Sequence, residues 1–243
     1  MDISNFHGQL RNYLSTYNYE PPLKSLRIDI AFKNISPFLN LERLHISPNV
    51  IDIENLNQFN RLTYLKFIVF HPDTLIKLTF LSNLKVLHIE GEEYLTQESF
   101  MRNHRMHVYF TNLLKLSINM RDYEHQNSVS IDINFPNLTY LRLNIIRHCW
   151  FNMSVNLTCS NLIKLYAANL TIQNANDYFK TTRNLTKLCL NKVTYNGNLI
   201  LSGNYLYMLT YLKLVGLENI TLDKLKSKTN ILNNIENCII HNS

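Results

Sequence analysis

The segment Leu138-Thr-Tyr-Leu141-Arg-Leu143 is one of ten copies of a Leu-x-x-Leu-x-Leu theme, starting at Leu23, Leu41, Leu62, Leu84, Leu113, Leu138, Leu162, Leu185, Leu209 and, in a weaker form, Ile235. The intervals between copies are 18, 21, 22, 29, 25, 24, 23, 24 and 26 residues. A period in the twenties means that each copy is one supersecondary unit that cannot bury its apolar side alone and must stack on its neighbours. The repeat therefore constrains the chain to a solenoid before any single residue is considered.

Within a copy the last two apolar residues lie two apart, which in an extended chain points both to one face. Stacked copies then form a parallel sheet with a shared interior, built from pairs such as Leu26/Ile28, Leu44/Ile46, Leu65/Phe67, Leu141/Leu143, Leu165/Ala167, Leu188/Leu190 and Leu212/Leu214, and closing at Cys238/Ile240. Ala167 is the one small member. The return segments differ in kind. Leu75, Leu78 and Leu81 follow Pro72-Asp73 at helical spacing, and Glu92 to Met106 is long enough for a second helix. Val129, Ile131, Ile133 and Phe135, like Phe151, Met153, Val155, Leu157 and Cys159, alternate at period two and predict short strands. Phe6, Leu10, Tyr13, Leu14 and Tyr17 suit a capping helix, so residues 1–22 are expected to close the first sheet edge and residues 23–243 to form the solenoid.

From Leu23 to Ile240 the chain resembles the leucine-rich-repeat superfamily. The resemblance implies a right-handed arc between α/β and mostly β, with a parallel concave sheet of about ten strands and short helices or strands on the convex side. One departure stands out. The family's common pattern places Asn or Cys three residues after the third apolar position, as a buried ladder bonding the turning backbone. Asn49 fits, but Ala31, Phe70, Ile146, Leu170, Val193 and Leu217 occupy that place elsewhere. The backbone groups of those turns must find other partners, and the pattern is closer to irregular viral, bacterial or protist repeats.

Composition narrows the function classes. The five glycines never cluster, which leaves no phosphate-cradling loop. His104 and His107 could begin a metal site, but no third ligand is near in sequence, and a solvated basic loop is the simpler reading. His148 and Cys149 are adjacent, so on a strand they face opposite ways. Cys149, Cys159, Cys189 and Cys238 lack paired short spacings and read as reduced thiols. No enzyme activity, metal or cofactor is expected. The seven Asn-x-Ser/Thr sequons are of the kind that an Asn-rich chain produces by chance. The first residues carry no apolar run, and no later stretch reaches the roughly 18 apolar residues of a membrane span, so a cytoplasmic location is expected. Abundant Asn, Ile, Lys and Tyr beside four alanines look like an AT-rich genome, as in a virus or intracellular parasite.

The residues flanking each core pair must face outward on the sheet. Eight of them are Lys or Arg and two, Asp29 and Glu90, are acids, an excess that equals the whole chain's formal net charge of +6. Tyrosines interleave with these cations. The combination predicts a recognition stripe of Arg43, Tyr64, Lys66, Tyr140, Arg142, Lys164, Tyr166, Lys187, Tyr211 and Lys213, whose potential would draw an acidic partner inward. The expectation is a non-enzymatic interaction module, an adaptor or decoy, binding an acidic or phosphorylated protein. That partner would be a host protein if the source is a pathogen. Single-stranded nucleic acid is the alternative, because Tyr with Lys or Arg also suits bases and phosphates.

Overall fold

The computed structural model describes residues 24–28, 40–46, 56, 59–69, 81–92, 110–122, 129–147 and 153–223. The expected cap (1–22), both early helices, the His104/His107 and His148/Cys149 pairs and the strand at Ile235–Ile240 lie outside these residues.

Nine strands follow from the repeat: β1 (Ser25–Ile28), β2 (Arg43–Ile46), β3 (Tyr64–Val69), β4 (Val86–Glu92), β5 (Lys115–Asp122), β7 (Tyr140–Arg147), β9 (Lys164–Ala168), β11 (Lys187–Asn191) and β14 (Tyr211–Val215). They form one parallel sheet in that order. Register is set by the leucines, since a slip of one residue would turn the whole apolar set outward. Leu26, Leu44, Leu65, Leu87, Leu116, Leu141, Leu165, Leu188 and Leu212 are mutual partners from strand to strand. The second inward column runs Ile28, Ile46, Phe67, Ile89, Ile118, Leu143, Ala167, Leu190, Leu214. Both columns are buried wherever their side chains are described, and Ala167 sits between two leucines.

The alternating returns become a second parallel sheet, ordered β12-β10-β8-β6, from β6 (Val129–Ile133), β8 (Met153–Leu157), β10 (Thr171–Ile172) and β12 (Thr194–Tyr195). Ile133, Phe135, Val155, Leu157, Cys159 and Ile172 are buried in the interior between the sheets. Two further strands, β13 (Leu199–Ser202) and β15 (Ile220–Asp223), pair with each other.

One return departs from the alternation expected for the later coils. Helix α1 (Ala175–Thr181) follows β10 and buries Ala175, Tyr178 and Phe179, an i, i+3, i+4 face. Asn174 caps it through its backbone carbonyl, which accepts the Tyr178 N–H at 2.9 Å, while its side chain bonds elsewhere. Its Oδ1 accepts from the Leu157 N–H at 2.9 Å and its Nδ2 donates to the Leu157 carbonyl at 2.7 Å, which ties the helix start to the end of β8.

The missing asparagine ladder is replaced in two places. Leu170, Val193 and Leu217 are buried at the ladder position, and each follows a left-handed residue: Asn169 (φ 56°), Lys192 (φ 48°) and Gly216 (φ 59°). That conformation turns the backbone so that the N–H of Asn169 donates to the Asn191 carbonyl at 2.9 Å and that of Lys192 to the Val215 carbonyl at 2.7 Å. Turn groups that a buried Asn would satisfy are thus bonded coil to coil.

The second replacement lies at the leading edge, where each strand of the large sheet begins. Asn83, Asn112, Asn137 and Asn161 each precede the first leucine of their copy. Each Nδ2 donates to a carbonyl of the preceding coil, on Asn60, Ser82, Thr111 and Pro136, at 2.6, 2.9, 2.8 and 2.7 Å. Thr63, Thr139, Thr186 and Thr210, each just after that leucine, donate Oγ1 bonds to the carbonyls of Glu42, Leu114, Ile163 and Thr186 at 3.1–3.2 Å. Two of the sequons, Asn137-Leu-Thr139 and Asn184-Leu-Thr186, are by-products of an Asn position and a Thr position set two residues apart.

Candidate interaction face

Strand alternation sends every second residue of the nine strands to the outer face of the large sheet, and the shared register lines these residues up in columns. The first runs Ser25, Arg43, Tyr64, Val86, Lys115, Tyr140, Lys164, Lys187, Tyr211. The second runs Arg27, His45, Lys66, His88, Ser117, Arg142, Tyr166, Cys189, Lys213. All ten residues of the expected stripe fall in these two columns, so the fold brings them together on one face. The third column is mostly neutral, and its Asn144 Nδ2 donates to Asn119 Oδ1 at 2.9 Å.

The face divides into two halves. In the first, the face carries an acid, Glu90, which pairs with Lys66 at 2.6 Å, and Arg43 lies 4.7 Å over the Tyr64 ring. His88 packs against Tyr64 with centroids 5.4 Å apart. Burial, then the positive charge of Lys66, hold its pKa below the usual 6.5, with Glu90 pulling the other way.

In the second half, β5, β7, β9, β11 and β14 each place one cation in these two columns: Lys115, Arg142, Lys164, Lys187 and Lys213. Among the described residues none of the five is within ion-pairing distance of an acid. Adjacent strands are about 4.8 Å apart, so the row spans about 19 Å. The tyrosines between them are packed on their neighbours, Tyr140 against Tyr166 at 5.5 Å and Tyr211 under Lys187 at 5.7 Å. Cys189 is half-buried in this row. Burial raises its thiol pKa, against the lowering pull of Lys213, Tyr211 and Lys187. Burial likewise raises the phenol of Tyr166.

Two parts of this surface escape a reading of the stripe alone. Lys115 belongs to the unpaired row but was not among its expected anchors. Beside the first column, along the leading edge, runs a groove of about 710 Å³. The ladder asparagines form one side, and the residues just after each leucine form the other. Leu114 (39% exposed) and Ile163 (38%) open into it, and Met208 (48%) lies at its end. The signal for it is the Asn-Leu dipeptide, which opens six of the nine leucine-led copies.

Among the described residues no three His, Cys, Asp or Glu side chains converge as metal ligands, and no helix is long and apolar enough to cross a membrane. Cys159 faces inward. Its Sγ donates to the Ile133 carbonyl and accepts the Phe135 N–H, both at 3.4 Å, and burial pushes its pKa up to about 11.

Stacked coils of 18–29 residues, a leucine-registered parallel sheet and variable returns define a leucine-rich-repeat type of solenoid, mostly β, with one short helix among the described residues. No family model matches the sequence, and no curated protein does. Solved structures do match; one is an internalin from Listeria monocytogenes, at a TM-score of 0.45 and 16% identity over 88% of this chain. The match spans 66% of the internalin chain, just under two thirds.

Proposed function

We propose that this chain is a non-enzymatic interaction module, an adaptor or decoy working in the cytosol, that holds an acidic or phosphorylated protein against the outer face of its large sheet. The observation that carries the reading is the unpaired row Lys115, Arg142, Lys164, Lys187, Lys213. Five like charges at a one-strand spacing repel one another across solvent, and a partner that brings negative charge relieves that repulsion while displacing bound counterions. Arg142, Lys164, Tyr166, Lys187, Tyr211 and Lys213 are the principal anchors. Arg43, Tyr64, Lys66 and Tyr140 extend the contact. The tyrosine contacts favour protein over single-stranded nucleic acid, because rings already packed on a neighbouring ring or lysine offer less open face for base stacking. If the AT-rich composition reflects a pathogen, the partner is a host protein.

The test is affinity capture from the native cell with wild-type protein and with Arg142→Glu/Lys164→Glu/Lys187→Glu. A partner retained by the first and lost by the second supports the reading. Retention unchanged by the triple reversal would refute it. So would tight binding to a single-stranded oligonucleotide that falls steeply with salt, the mark of phosphate contacts.

A further inference from the structure

The cation row and the leading-edge groove lie side by side over the same coils, and together they specify the shape of what binds. The row offers one positive charge per coil, every 4.8 Å or so. The groove offers Leu114 and Ile163 on one side and Met208, at the asparagine position of its copy, on the other; they stand two coils apart in each case, so apolar contacts recur at about 9.6 Å along the axis. A ligand that satisfies both needs a negative group about every 5 Å along one side and an apolar group about every 10 Å along another.

An α-helix laid along the solenoid axis has that pattern. It turns once every 5.4 Å, so a carboxylate per turn tracks the cation row, and residues i and i+7 recur at about 10.5 Å, close to the groove's spacing. Over the four steps of the row the mismatch reaches only about 2.4 Å, which flexible lysine stems absorb. An extended segment fits worse. Its same-face residues recur at about 6.8 Å, and over four steps it drifts by about 8 Å. The ladder also fixes the asparagine wall: each Nδ2 is held by a carbonyl of the preceding coil, leaving the Oδ1 atoms to hydrogen-bond polar groups of the ligand.

We infer that the partner's contact element is an acidic amphipathic helix of about 15 residues, its acidic side over Lys115–Lys213 and its apolar side in the leading-edge groove. The inference rests on the proposed binding of acidic protein by this face and adds the conformation of the ligand. The chemistry of recognition is helix-in-groove, with the charge row fixing direction and register.

The test uses the full-length protein and two synthetic peptides of identical composition. One carries a Glu on each turn, Leu at i, i+7 and i+14, and its single proline at the first helical position, where it does not break the helix. The other has the same residues rearranged around a central proline that breaks the helix. The expected results are at least tenfold tighter binding of the helical peptide, a rise in its helical circular dichroism on binding, and loss of that advantage in Leu114→Asp/Ile163→Asp. These two side chains are exposed, so the variant is expected to fold, and its melting curve checks this. Lys164→Met/Lys187→Met is expected to weaken both peptides. Equal binding of both peptides by wild-type protein overturns the helical ligand while leaving an acid-binding face. Failure of both to bind, or binding indifferent to the lysine substitutions, overturns the acid-binding face itself.

Discussion

Leu165→Ala and Lys164→Ala change neighbouring residues of one strand, and the fold assigns them opposite consequences. Leu165 is fully buried, in register between Leu141 and Leu188, which are also fully buried. Truncation removes three carbon groups at about 0.8 kcal/mol each, about 2.4 kcal/mol of transfer free energy. A stacked sheet cannot close around the void without breaking register on both sides, so a cavity cost is added and the total comes to about 3–4 kcal/mol. For a chain of this size that lowers the melting temperature by about 6–15 °C. Lys164 lies on the outer face and makes no ion pair among the described residues, so its replacement changes stability by no more than about 0.5 kcal/mol. Paired thermal melts followed by circular dichroism measure the contrast. Each coil touches only its neighbours, so the damage is expected to show as an early, partial transition as well as a lower midpoint. Equal shifts for the two variants would refute the shared interior.

Gly216→Ala is expected to destabilise by about 1 kcal/mol or more, seen in urea titrations: Gly216 has φ 59°, and a Cβ would meet Lys192 Cγ at 3.1 Å. Asn137→Ala breaks one rung of the leading-edge ladder and is expected to cost about 0.5–1.5 kcal/mol by the same measurement, because that rung is solvent-exposed. His88 resists protonation in the fold, so below pH 6.5 the unfolded chain takes up the proton first and stability falls until the folded pKa is also passed. His88→Gln should flatten that acid-side decline in melting temperature; an unchanged slope would show that other groups set it.

The sheet was legible because leucine spacing carries both period and register. Every inward pair expected from Leu44/Ile46 to Leu212/Leu214 is found on the strand and face assigned to it. The alternating returns at Val129–Ile133 and Met153–Leu157 were equally plain. Helix α1 was not, because Ala175, Tyr178 and Phe179 make too short a face to stand out by spacing alone. The recognition stripe was legible as a set of outward positions. Its division was not, because whether Lys66 is tied to Glu90 while Lys164 stands apart depends on register and side-chain rotamers across different coils. The ladder was overlooked for another reason. Its asparagines stand before the leucine pattern, while the familiar buried position lies after it.

That leading-edge ladder bears on how such a molecule changes its length. Each coil from β2 to β14 donates two successive backbone N–H groups to one carbonyl of its predecessor, as Thr139 and Tyr140 do to Leu114, and Asn83, Asn112, Asn137 and Asn161 add an amide bond to another backbone carbonyl, so the acceptors belong to the preceding coil's backbone whatever its side chains. A duplicated or deleted turn therefore meets a junction whose hydrogen bonds are already provided for. Because every turn from β5 onward adds one positive charge to the wall, gain or loss of turns would adjust the reach of the charged surface in unit steps, without redesign of the interior.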